Sequence, residues 1–147
     1  MAKVFRFRLE RLLALRRARA EEAERELARQ QQETRLQNEA MVSLLREEEE
    51  GKQELRGLRL NALDLPRLRL HEGYLEFLGR RIRVEHERLQ ERIKAEIEKR
   101  RALAAALMAV RVLERLRERR ERTHRVEIER LEQGLLDEAA QNLATRA

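Results

Sequence analysis

From Leu9 to Leu58 the chain repeats one rhythm: steps of three and four, with apolar residues recurring along it and polar ones interrupting its middle. Leu9, Leu13, Ala20, Ala23, Leu27, Met41, Leu44, Leu55 and Leu58 fall on it, and Arg, Gln, Thr, Glu and Gly fill the rest. Such spacing is the heptad seam of a coiled coil, which leaves few folds open to the chain. A second seam is read through Leu75, Leu78, Ile82, Leu89, Ile93, Ile97, Leu103, Leu107, Val110, Leu113, Leu116, Ile128, Leu131 and Leu135. The steps of four at 89, 93 and 97 depart from a strict heptad and predict a locally relaxed supercoil. Composition agrees, since 42% of residues are charged and 3% aromatic, with one proline. That mixture reads as long helices, and leucine at helical spacing throughout argues against disorder.

Between the seams lies "NALDLPR". Asn61 suits a helix end, Asp64 a cap, and Pro66 a first turn. The reading is all-α: one antiparallel two-helix coiled-coil hairpin, with helix 1 at about 5–60, a bend at about 61–65 and helix 2 at about 65–143. In isolation a monomer is expected. Gly51, Gly57, Gly73 and Gly79 lie symmetrically about residue 65. This symmetry predicts 51 opposite 79 and 57 opposite 73. Residue 1 then lies near 129, and the last eighteen or so residues overhang.

Chemistry of the enzymatic kind has no home here. There is no cysteine for a disulfide or thiolate site. His71, His86 and His124 are too far apart for i, i+4 metal pairing. Ser43 is the single serine and has no histidine nearby. No glycine-rich phosphate loop appears, and no cofactor is expected. The longest apolar run, "ALAAALMAV" at 102–110, falls short of the roughly 18 residues a bilayer span needs, so no membrane insertion is expected. The arginine-rich N-terminus continues its heptad without a break and reads as structure, in an intracellular protein.

Charge is more telling. Residues 1–20 carry Lys3 and six arginines against Glu10, and residues 111–125 carry seven arginines against three glutamates. In the expected register these segments form a basic collar that includes Arg11, Arg16, Arg117 and Arg120. Either it is a solubilising surface or it meets an acidic partner. It lacks aromatic stacking platforms, so nucleic acid is not expected. Beyond it, Leu131, Leu135, Leu136, Ala139 and Leu143 make an apolar face with no opposing helix, beside Phe5 and Phe7. Tyr74 and Phe77, half of the chain's aromatics, fall beside the second seam and start a stripe through Arg81, Val84 and Arg88. They either shield the bend or form a partner patch.

Three stretches carry a resemblance: "KVFRFRLERLLALRRARAEEAERELA" (3–28), "LDLPRLRLHEGYLEFLGRRI" (63–82) and "ERLEQGLLDEAA" (129–140). Together they resemble the flagellar export protein FliJ family over nearly the whole chain. The resemblance implies a non-enzymatic, cytoplasmic component of the type III export apparatus, peripheral at the inner membrane and similar to the central stalk of rotary ATPases. It implies that the end carrying the termini, with Phe5, Phe7, the collar and the overhang, meets the ring of the export ATPase FliI. It further implies contact with the export gate FlhA through Tyr74, Phe77 and Val84, and the escort of flagellar export chaperones. Arg81 and Arg88 stand where the family tends toward apolar and small residues. Two alternatives remain: the stalk protein of a non-flagellar type III system, and a basic coiled-coil arm that binds RNA.

Overall fold

The computed structural model describes residues 4–60 and 64–146. Two helices account for nearly all of them: α1 spans Glu10–Leu60 and α2 spans Leu65–Arg146. They pack against each other as an antiparallel pair, the expected fold class. The start of α1 is fastened by the Glu10 amide, which donates to Phe7 O at 3.2 Å, and Glu10 suits the positive end of the helix dipole. Asp64 caps α2: its Oδ1 accepts from the Arg67 amide at 3.3 Å, and its carbonyl accepts from Leu68 N at 3.0 Å. Pro66 sits in that first turn, where its missing N–H costs nothing. Asn61, assigned to the helix end, lies outside the described residues.

The chain divides into two compact units, one of Met1–Glu22 with Ala104–Ala147 and one of Ala23–Leu103. In the first, the termini unit, Phe7, Leu13, Ala20 and Val110 form the core, with Phe5, Leu9, Ala106, Leu113 and Leu116 packed on it. In the second, the mid-chain unit, Met41, Leu44, Leu55 and Leu78 are buried. Every position of the first seam, from Leu9 to Leu58, is buried or half-buried.

The second seam takes a different path from the one its isoleucines indicate. Ile93 and Ile97 are 37% and 44% exposed in the mid-chain unit, and Leu107 is 45% exposed in the termini unit. The half-buried positions instead run through Glu85, Leu89, Glu96, Lys99, Leu103 and Ala106, which keeps a strict heptad. The expected drift is therefore absent. The reason lies on the facing helix, whose seam is polar here at Gln30, Thr34 and Gln37. Gln37 donates to Glu85, and Arg92 pairs with Glu33. Lys99 Nζ meets Glu26 Oε2 at 2.9 Å. Long side chains cover the seam with their methylenes and carry their charged ends to partners at its edge.

The glycine symmetry fails as well. Gly51 faces Leu75, one turn away from the expected Gly79, while Gly57, Gly73 and Gly79 have open space where a Cβ would go. Leucine packing, not close backbone approach, fixes this register.

Candidate interaction surfaces

In the termini unit the collar is built differently from its sequence reading. Phe7 is 8% exposed and belongs to the core. The sequence reading placed it on a partner surface; in the structure its ring lies in the core of this unit. Phe5 is half-buried against the His124 ring, with centroids 5.7 Å apart and planes tilted by 46°. Arg120 lies over the Phe7 ring, Cζ 6.0 Å from its centroid, in cation–π geometry. Arg117 Nε faces Glu10 Oε2 at 3.3 Å as an ion pair without hydrogen-bond alignment. Arg16 is a half-buried seam residue and only Arg11 of the four is exposed without an internal partner among the described residues. The sequence could not separate these roles, because Glu10 and Phe7 are more than a hundred positions from the arginines they engage.

Every residue from Glu129 to Arg146 is exposed, including Ala139, and Leu131, Leu135, Leu136 and Leu143 expose 69%, 66%, 65% and 71% of their surface.

In the mid-chain unit, Tyr74, Phe77 and Val84 expose 45%, 50% and 47% of their surface. Steps of three and seven place them on one flank of α2. Tyr74 and Phe77 line an open groove of about 570 Å³ with Glu54, Arg69, Leu70, His71 and Gly73. Among these lining residues His71 Nδ1 faces Glu54 Oε2 at 3.9 Å. Leu70, one turn before Tyr74 and largely exposed, extends the apolar flank and was missed in the sequence. Its signal was present: it stands four residues before Tyr74 and seven before Phe77. Arg81 and Arg88 are exposed, and Arg88 is held back by Glu85 at 2.9 Å. Among the described residues, no acidic or histidine cluster could hold a metal ion, and no helix is long and apolar enough to cross a membrane.

No curated protein and no solved structure matches the chain. A family model does. The model of the flagellar FliJ protein matches residues 5–147, taking in the F-x-F start, the capped second helix and the exposed overhang. With a match over nearly its whole length, the chain belongs to the flagellar FliJ protein family.

Proposed function

We propose that this chain is a stalk for the flagellar export ATPase, docking into the FliI ring by its overhang. Membership of the family makes it a non-catalytic component of flagellar protein export. The observation that carries the stalk reading is the bare apolar face from Leu131 to Leu143, on a helix that continues past Ile128, the last half-buried residue of α2. The exposed Arg11 stands in the same unit and supplies a cation to its rim. Tyr74, Phe77 and Val84, with Leu70, serve the export gate FlhA, and the protein works in the cytoplasm at the membrane face, where it also meets export chaperones.

Leu135→Glu with Leu136→Glu tests the ring contact. Both residues are exposed, so helicity by circular dichroism stays unchanged while stimulation of FliI hydrolysis is lost. Truncation after Arg130 has the same outcome. Full stimulation by either variant would remove the overhang from the ring.

A further inference from the structure

The two flanks of the termini unit differ. On one, charges are neutralised within the chain: Arg17 Nη2 meets Glu114 Oε1 at 3.2 Å and Arg117 meets Glu10. The other flank is apolar and bordered by arginines. Leu12, Ala109 and Leu116 are half-buried there, and Leu15 and Val112 are 48% and 62% exposed at its edges. The heptad places these five together. Counting from buried Leu13 and Val110, all five step to the side away from Arg17 and Glu114, and an antiparallel pair sets like flanks side by side. Arg8, Arg19 and Arg119 border this flank, exposed and without an ion pair among the described residues.

An apolar groove edged with free arginines fits a helix whose apolar face is edged with carboxylates. The chain itself owns one. Residues 127–146 carry Glu127, Glu129, Glu132, Asp137 and Glu138 against Arg130 and Arg146. Glu132 stands three and four residues before Leu135 and Leu136, inside the apolar face, and has no ion pair among the described residues. Lengths agree: Leu131 to Leu143 spans about 18 Å and Ala109 to Arg119 about 15 Å at 1.5 Å per residue. The overhang leads away from its own groove, so it cannot fold back without breaking α2.

We propose that the overhang of one chain lies in the arginine-bordered groove of a second copy, and that the second copy returns the same contact. A two-fold exchange is closed and self-complementary, so it ends at a dimer. It covers both unpartnered faces at once and neutralises Glu132 against a groove arginine. This departs from the monomer expected of an isolated hairpin. If the overhang also serves the ATPase ring, a point that rests on the function proposed above, dimer and ring compete for one surface.

Sedimentation of the full chain tests the exchange. Wild type shows a doubled mass at low ionic strength that falls toward one chain as salt rises, because exposed charge pairs are screened. Leu15→Glu with Val112→Glu, and separately Leu135→Glu with Leu136→Glu, each give single-chain mass with unchanged helicity. Mixing the two variants restores part of the doubled mass, since one groove and one overhang remain intact between them. Arg8→Glu with Arg119→Glu, confined to exposed side chains, lowers the doubled fraction as a second check. Wild type at single-chain mass throughout overturns the proposal, as does a doubled mass in either leucine or valine variant. The ring reading is read separately: the groove variant still stimulates FliI, and a failure of the overhang variant to lose stimulation would strike that reading alone.

Discussion

Gly51 and Leu75 meet across the mid-chain unit so closely that a Cβ on residue 51 would lie 2.9 Å from Leu75 Cδ2. The other helical glycines of that unit, Gly57, Gly73 and Gly79, have nothing within 4 Å of the same point. Glycine in a helix interior costs roughly 1 kcal/mol relative to alanine. Gly57→Ala and Gly79→Ala should therefore stabilise the protein by about 0.5–1 kcal/mol each, read as a raised urea midpoint. At Gly51 that gain is offset by displacement of the Leu75 side chain, so Gly51→Ala should give clearly less. A larger bulk there, as in Gly51→Leu, should destabilise by about 1–3 kcal/mol through overpacking. Equal gains at 51 and 57 would contradict this register.

Lys99 and Glu26 close the polar stretch of the mid-chain seam. The hydrogen bond from Lys99, and then its charge, hold the Glu26 carboxyl below the ordinary carboxylate range. A carboxyl depressed on folding stabilises the protein above its unfolded value, and that contribution disappears as pH falls through the folded one. Glu26→Gln should thus lower the melting temperature slightly at pH 7, with the difference shrinking to nothing in acid below the depressed range. The pair is half-exposed and screened, so the shift is small. A difference between wild type and variant that widened in acid would reverse the assignment.

The first seam was legible at every position because its apolar residues and its polar ones share a single heptad, and Asp64 and Pro66 announced the second helix. The second seam was not, for a physical reason. Hydrophobic spacing alone selects Ile93 and Ile97, but the helix opposite presents Gln30, Thr34 and Gln37, against which Glu85, Glu96 and Lys99 pack with satisfied ends. Which face turns inward is thus decided by the partner helix, roughly sixty residues away in sequence. The same limit hid the groove of the termini unit. Leu15 and Val112 look like ordinary seam neighbours until the register places them on one flank.

The internal partners of the collar arginines make their loss a matter of stability. Arg117→Glu would set a like charge against Glu10 and leave the seam with a carboxylate in place of an aliphatic stem. It should lower stability by about 1–3 kcal/mol. Arg120→Ala loses the contact with the Phe7 ring and should cost about 0.5–1 kcal/mol. Arg11→Glu, exposed and unpaired, should stay within about 0.5 kcal/mol of wild type. Denaturant midpoints for the three order them. An Arg11 variant as unstable as the Arg117 one would mean that the collar holds together by net charge and not by these contacts.

Tyr74 and Phe77 carry the last question, whether the mid-chain aromatics hold the fold or serve a partner. Neither is buried, whereas Leu78, the residue after Phe77, is 1% exposed. The groove they line with Leu70 and His71 is open, and its apolar residues lie on one flank of α2. A truncated exposed side chain should change stability by no more than about 0.5 kcal/mol, whereas truncating an aromatic anchor in an interface typically costs about 2 kcal/mol or more of binding. Phe77→Ala should therefore melt like wild type and bind FlhA some thirtyfold more weakly, about the ratio that 2 kcal/mol implies. Leu78→Ala is the counter-example: its buried side chain should cost about 2–5 kcal/mol of stability. Tyr74→Ala should follow Phe77→Ala, and Leu70→Ala should do so in milder form. If Phe77→Ala instead lowers melting as Leu78→Ala does while FlhA binding is intact, the ring shields the helix pair and the gate contact lies elsewhere.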